Sequence, residues 1–328
     1  MKTRLLVVIA ILATALLPMT ASAEPALTVG VAYDIGGRGD RSFNDASYLG
    51  LEKAQKQFDF ELVPVVTDGS SADREKRIRS LIAKNCDPII AIGSGYAPTL
   101  QALAVEYPST HFAIINDASV AALNVTSVIF ADNQGAFLAG FSAAQLSKSG
   151  KVAMIANPDQ ADIYKEGFAA GVTAAKRKVI PIVKYVSGSY SLATTQVLDA
   201  GADVVFAATQ GSNSEIFKVI VARNAKKKGS NIGLINIEPD QYITVTSATK
   251  KFLFASVVKR VDKAIYDVIT LSAAKRQYLD ILDADAGIYG RRYGITGGGI
   301  EFTIRSKELA ALSDSINVAA ATAEKILA

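Results

Sequence analysis

The sequence predicts an α/β protein made of two doubly wound parallel-sheet lobes joined by short hinge crossings. Three observations carry that expectation. Short β-branched runs alternate with helix-length stretches along nearly all of the 328 residues. The strands read as continuous apolar runs rather than strict alternation, the pattern of strands covered on both faces of a parallel sheet. The alternation also restarts after about residue 130, so two units of similar size stand in tandem.

In the first unit, Leu27–Tyr33, Leu62–Val66, Pro88–Ile92, Phe112–Ile115 and Val125–Phe130 read as strands. Between them, Asp45–Phe58 is expected as a helix with Ala46, Leu49, Ala54 and Phe58 inside. Ser71–Lys84 follows, capped by Ser71 or Asp73, and then Pro98–Val105. Helix Asp132–Lys148 opens the second unit. Strands Val152–Ile155, Ile180–Tyr185, Val204–Ala207 and Ile232–Ile237 alternate there with helices Ile163–Lys176, Thr194–Ala200 and Ser214–Lys226. Phe252–Val257 reads as a strand, Arg260–Ala274 as a long helix and Gly287–Ile304 as glycine-rich hairpin material. Ser306–Leu327 closes the chain as a helix, with Leu309, Leu312, Ile316, Ala319 and Ala323 helically spaced. No low-complexity linker is present, so several short crossings are expected instead of one tether.

The amino terminus has the form of a secretory leader. Lys2 and Arg4 precede the apolar run Leu5–Leu17, and Ala21-Ser22-Ala23 forms an A-x-A cleavage site before Glu24. No cysteine lies near that point to carry a lipid. The mature chain is therefore expected in the periplasm, cleaved after Ala23, not lipidated and without a membrane anchor. Losing Lys2 and Arg4 leaves 33 basic against 31 acidic side chains, a formal charge of +2 and a weak attraction for polyanions. Roughly 305 residues remain, more than a single core usually grows to. The expected boundaries are 24–133 plus about 260–280 for the first lobe and 134–259 plus about 281–328 for the second, with a ligand cleft between them.

The composition narrows the chemistry. One cysteine, Cys86, excludes an internal disulfide and a cysteine-based zinc site. One histidine, His111, heads an apolar strand and reads as a satisfied edge residue. The run Arg74–Arg79 (REKRIR) lies on a helix with Ile78 and Leu81 inward, which describes a solvated face. Lys226-Lys227-Lys228 ends a helix, where cations complement the dipole. Neither run is interleaved with aromatics, so no nucleic-acid partner is expected. No metal and no cofactor are expected, and the protein is expected to act as a monomer.

Candidate site residues gather where strands end. The loop Asp34–Asn44 (DIGGRGDRSFN) leaves the first strand with Asp34, Asp40, Phe43 and Asn44. Two carboxylates repel phosphate, and the glycine spacing is neither a P-loop nor a dinucleotide fingerprint. Carboxylates, an amide and a ring suit a neutral, flat ligand bearing hydroxyl or N–H donors, although a helix cap on a tight turn accounts for the same residues. Gly93-Ser94-Gly95-Tyr96, Asp117, Gly211-Ser212-Asn213, Asp240-Gln241 and Lys259 also follow strands. In an open α/β sheet these are the positions that border a ligand. As a catalyst the chain offers only paired carboxylates, in the manner of a glycosidase, or Lys259 as a Schiff-base amine. It carries no G-x-S-x-G motif and no second histidine.

The motif DIGGRGDRSFN closely resembles the opening of the basic membrane protein family of exported ligand-binding proteins, which includes purine nucleoside receptors of bacterial importers. The similarity continues through NVTSVIFADNQGAFLAG, IYKEGFAAG, GADVVFAATQGSN, EPDQ and SVVKRVD, nearly the whole mature chain. The first and last motifs are specific, whereas GAFLAG is mostly a helix-packing pattern. The resemblance implies a type I periplasmic-binding-protein fold, a cleft closing on a nucleoside, no enzymatic activity, and an inner-membrane ABC permease as partner.

Carried onto these residues, the resemblance makes Phe43 a ring stacked on a purine, Asp34 and Asn44 readers of base edges, and Asp117 and Asp240 acceptors from ribose hydroxyls. Lys259 would donate to the sugar. Where the family places phenylalanines, this chain has Tyr164 and Tyr190, either of which fits the second stacking ring. A GGTG-like turn reads TQGSN here, so Gln210 beside Gly211 introduces an amide toward the ligand. These departures leave other flat or sugar-like ligands (a flavin, a free base) open, and an exported nucleoside hydrolase or glycosidase remains the alternative of a different class.

Overall fold

The computed structural model describes residues 27–158, 161–186, 188–209, 213–226, 231–237, 240, 242 and 245–327. The expected leader, Gln210, Gly211, Lys227 and Lys228 lie outside the described residues. The chain begins with strand β1 (Leu27–Tyr33), α1 (Phe43–Gln55), β2 (Phe60–Val66), α2 (Ser71–Ile82), β3 (Ile89–Ile92), α3 (Ala97–Glu106), β4 (Phe112–Ile115) and β5 (Val125–Phe130). Helix α4 (Asp132–Leu146) leads to β6 (Lys151–Ala156), α5 (Ala161–Ala174), β7 (Ile180–Tyr185), α6 (Tyr190–Asp199), β8 (Val204–Ala208), α7 (Ser214–Lys226) and β9 (Gly233–Ile237). A single turn α8 (Ser247–Lys250), β10 (Leu253–Lys259) and α9 (Val261–Ala273) follow. Strands β11 (Asp280–Asp283), β12 (Ile288–Tyr293) and β13 (Ile300–Ile304), the turn α10 (Lys307–Ala310) and helix α11 (Ser313–Ile326) complete it.

Two sheets form, in the orders β11-β12-β5-β4-β3-β1-β2 and β13-β10-β9-β8-β6-β7. Strands β1 to β5 pair in parallel, as do β6 to β10, and every residue of β3 and β4 is buried. Their unbroken β-branched sequences follow from that two-sided burial. In each sheet the strand order reverses once, between β1 and β3 in the first and between β6 and β8 in the second. Such switch points open a crevice at the carboxyl ends of the strands.

The third and last stretch departs from expectation. Gly287–Ile304 is not one hairpin, and residues 281–293 do not belong with the second sheet. Strand β12 pairs in parallel with β5, while β13 pairs antiparallel with β10. The glycine-rich Gly294–Gly299 between them is a crossing rather than a hairpin turn. The C-terminal helix is likewise broken, at Ala311–Leu312, although Leu309, Ile316, Ala319 and Ala323 are buried as their spacing predicts.

The chain therefore passes between the sheets three times, at Ala131, Arg260 and Gly294–Gly299, and the passages are fastened together. The Ala131 amide donates to the Tyr293 carbonyl (2.9 Å), and the Arg260 amide to that of Gly299 (2.8 Å). Gln134 Oε1 accepts from the Ile295 amide at 3.0 Å.

Helix packing is close where glycine removes a side chain. A Cβ on Gly140 would lie 2.1 Å from the Phe168 carbonyl oxygen, and one on Gly171 would lie 2.0 Å from that of Phe137, so α4 and α5 touch backbone to backbone. In α1, Leu49 is exposed, contrary to expectation. The inward face is instead Ser47, Gly50, Leu51 and Ala54, because Gly50 seats against Asp262 of α9. Among the described residues no helix is long and apolar enough to cross a membrane.

Candidate functional site

The β1 loop builds itself from its own polar residues. Asp40 accepts the amides of Ser42 (2.8 Å), Asn44 (3.1 Å) and Asp45 (3.1 Å), which caps the amino end of α1. Asn44 is buried. Its Oδ1 accepts from the Asp34 amide at 3.0 Å, and its Nδ2 donates to the carbonyls of Asp34 and Gly37 at 3.3 and 3.1 Å. The amide expected to read a ligand edge is thus engaged with the backbone, and Asp40 is a helix cap. Phe43, at the start of α1, is half-buried against the core.

Asp34 leaves the end of β1 beside the switch point. Its Oδ1 meets Arg74 Nη2 at 2.8 Å, and its other oxygen faces Gly93, where a Cβ would approach Oδ2 to 3.1 Å. Gly93 has φ +98°, a conformation suited to glycine, and this keeps the carboxylate's open side clear.

A buried polar cluster joins both lobes. Lys259, at the end of β10, is buried, with Nζ 3.0 Å from Asp132 Oδ2 and 3.2 Å from Asn116 Oδ1. Asn116 follows β4, and Asp132 is the first residue of α4. The same ammonium stands 5.6 Å from the centre of the Phe43 ring and 5.9 Å from that of Tyr164. An aromatic ring from each lobe thus borders one buried cation. Burial raises the Asp132 carboxyl above its ordinary value, while the Lys259 ammonium and the Tyr164 hydroxyl act in the opposite sense.

The two tyrosines differ in setting. Tyr164 is 1% exposed, with its ring edge-on to Phe206 at 6.5 Å in the core. Tyr190, in the first turn of α6, is half-buried and donates its hydroxyl to Asn157 Oδ1 at 2.5 Å, just beyond β6. Asp240 accepts from Ser256 Oγ (2.9 Å) and the Tyr242 amide (3.3 Å) and pairs with Arg305. Asp117 holds the amide and hydroxyl of Ser119 at 2.8 and 2.6 Å.

Sequence reasoning missed Arg74, Asn116, Asp132 and Arg305. Arg74 was hidden in a charged run read as solvated, and Asp132 in a helix start. Asn116 stands directly before the noted Asp117, which was signal enough to find it. Asp34 and Asp240 each carry an arginine partner, Arg74 and Arg305. Lys259 Nζ is engaged by the Asp132 carboxylate and the Asn116 amide oxygen. A crevice of about 1420 Å³ opens elsewhere, at the amino ends of the first sheet's strands among Thr28, Asp87, His111 and Arg291. It is remote from the switch points. His111, exposed, pairs there with Asp87 at 3.0 Å.

Residues 27–326 match the family described as ABC transporter substrate-binding protein, PnrA-like. The chain belongs to that family. This PnrA-like chain is 31% identical over 268 residues to a CD4+ T-cell-stimulating antigen of Listeria innocua, covering 75% of this chain and 74% of the relative. It is 26% identical over 260 residues to the ABC transporter nucleoside-binding protein BmpA of Lactococcus lactis, covering 74% of each. A Pyrococcus furiosus relative, 26% identical over 259 residues and covering 74% of this chain and 64% of its own length, is named an uncharacterized lipoprotein.

Among solved structures, a transcriptional activator of the comK gene from Bacillus halodurans superposes with a TM-score of 0.71 at 20% identity, covering 90% of this chain and 98% of that one. An ABC transporter solute-binding protein from Aeropyrum pernix gives 0.67 at 21%, covering 91% and 86%. These likenesses establish the type I periplasmic-binding-protein fold. As a PnrA-like substrate-binding protein, the chain serves an ABC transporter, with a small-molecule ligand and a membrane permease as partners.

Proposed function

We propose that this PnrA-like protein captures a nucleoside, preferentially a purine nucleoside, in the cleft between its lobes and delivers it intact to the permease. The observation that carries this reading is the convergence of Phe43 from one lobe and Tyr164 from the other on the buried Lys259 ammonium, at 5.6 and 5.9 Å. A flat base fits an aromatic-walled slot, and each stack contributes about 1–3 kcal/mol. Phe43 stacks on one face. Tyr190, with surface to offer, stacks on the other, and Tyr164 closes the floor. Asp34 accepts from the base edge, Asp117 and Asp240 accept from the ribose hydroxyls, and Lys259 donates to the sugar. The relative named a nucleoside-binding protein supports the ligand class.

The protein works without catalysis, as a monomer in the periplasm, released from its leader after Ala23 and without a lipid. Its single cysteine, Cys86, is buried. Cleft closure is a hinge motion about the three crossings, favoured by contacts the ligand makes with both lobes. Mass spectrometry of the co-purifying small molecule, followed by calorimetric titration of the stripped protein with nucleosides, free bases, riboflavin and sugars, tests the reading. An intact purine nucleoside that rebinds supports it. A flavin or sugar in its place keeps the transport role and overturns the ligand, and release of free base from added nucleoside makes the protein a hydrolase.

A further inference from the structure

Arg74 lies in the first turn of α2 yet is not part of the solvated face its sequence run describes. Its side chain is 13% exposed. Nη1 donates to the Gly69 carbonyl at 2.6 Å and Nη2 to Asp34 Oδ1 at 2.8 Å. The guanidinium lies 5.4 Å from the centre of the Tyr96 ring, and Tyr96 in turn donates its hydroxyl to the Tyr33 carbonyl at 2.8 Å. A Cβ on Gly95 would sit 2.5 Å from the guanidinium carbon, so the loop after β3 leaves room for this one side chain. The planar fork is thus held by a carbonyl, a carboxylate and a ring at once, which a lysine's point charge cannot reproduce in full. Nε is buried and finds no hydrogen-bond acceptor among the described residues. The arginine is retained at the cost of that unmade bond.

The consequence falls on Asp34. Oδ1 is held by Arg74, and Oδ2, beside Gly93, has no hydrogen-bond partner among the described residues, so the carboxylate presents that acceptor oxygen in a fixed direction. We propose that Arg74 is a specificity-determining residue that positions Asp34 as a hydrogen-bond acceptor, so that the first lobe selects a heterocycle carrying an N–H donor on the edge it offers. This rests on the nucleoside reading of the cleft. A ring whose edge carries only acceptors meets a carboxylate it cannot satisfy, the asymmetry by which a polar site rejects an analogue lacking one donor.

The test is calorimetric titration of wild type, Arg74→Met and Arg74→Lys with inosine and adenosine, which carry edge donors, and with purine riboside, which has none. Wild type is expected to prefer the donor-bearing nucleosides. Arg74→Met is expected to lose about tenfold in affinity for them, the effect of one misplaced charge-assisted bond, while purine riboside changes little. Arg74→Lys is expected to restore part of the preference. An equal loss for all three ligands overturns the inference and leaves Arg74 as a loop fastener. So does a crystal structure of Arg74→Met with Asp34 unmoved, which needs no ligand. Wild-type protein that binds none of the nucleosides overturns the nucleoside reading itself, a result separate from either of those.

Discussion

Lys259 Nζ and Asp132 Oδ2 stand 3.0 Å apart although their residues belong to different crossings, Lys259 ending β10 and Asp132 beginning α4. The Lys259 side chain has no exposed surface and that of Asp132 is 14% exposed. The pair therefore fastens two of the three passages between lobes at the base of the proposed cleft, where Asn116 adds the rim of the first lobe at 3.2 Å. A contact so placed bears on fold stability and on cleft geometry together.

Asp132→Asn removes the negative partner and leaves the buried ammonium. Breaking a buried pair from one side leaves an uncompensated charge, and a loss of about 3 kcal/mol is expected, the lower end for such changes. Asp132→Asn combined with Lys259→Met removes both charges and should recover much of that loss. Chemical denaturation of the two single variants and the double one closes the cycle. Additive effects would mean that the residues do not act as a pair.

The three aromatic candidates should separate cleanly. Phe43→Ala and Tyr190→Ala are each expected to weaken nucleoside binding by about 1–3 kcal/mol, the worth of one base stack, with little change in melting temperature. Tyr164→Ala, which empties a buried site against Phe206, should instead destabilise the fold by about 3–5 kcal/mol. Titration and thermal melts on the same preparations check this. A Tyr190→Ala protein that binds as wild type would move the second stack to Tyr164.

The contact between α4 and α5 yields a purely structural prediction. Gly171→Ala places a methyl group where the Phe137 carbonyl now lies, 2.0 Å away, and backbone cannot rotate aside as a side chain can. A loss of about 1–3 kcal/mol is expected from overpacking, despite alanine's better helix propensity. Gly188→Ala, with nothing among the described residues within 4 Å of its Cβ position, is the control and should be close to neutral. Urea melts of both measure the difference.

How much of this was legible in the sequence follows from where each signal resides. The strands were readable because burial on both faces leaves contiguous apolar runs, and β1, β5 and β7 fall at the expected bounds. Sheet membership was not, because β12 and β13 look alike locally and differ only in the strand each meets, β5 or β10. The inward face of α1 was misread through Leu49, since a glycine seated against a neighbouring helix carries no hydropathic signal. At the proposed site, glycine, aspartate and asparagine after a strand serve equally for a loop and for a ligand contact, so their roles were not legible. Asp40 and Asn44 turned out to shape the loop, Asp34 to face outward beside Gly93. Arg74 was invisible as a site residue because its partner lies 40 residues earlier, and only the fold brings them together.

Asp240 joins the proposed ribose contacts to the end of β13. Ser256 Oγ and the Tyr242 amide occupy one carboxylate oxygen and Arg305 the other. A carboxylate has about four lone-pair sites, so these three partners among the described residues leave one for a ligand hydroxyl. Asp240→Ala should therefore weaken adenosine binding by about 1.5–3 kcal/mol, the worth of a charge-assisted bond, while adenine, which lacks the sugar, loses much less. Arg305 also loses its partner in that variant, so a modest fall in melting temperature is expected for the protein with or without ligand. Arg305→Met separates the two effects. It should lower the melting temperature comparably, yet preserve most of the preference for adenosine over adenine. Titration of both variants with both ligands decides the matter: if adenosine and adenine lose affinity equally in Asp240→Ala, Asp240 supports the rim of the second lobe and does not read the sugar.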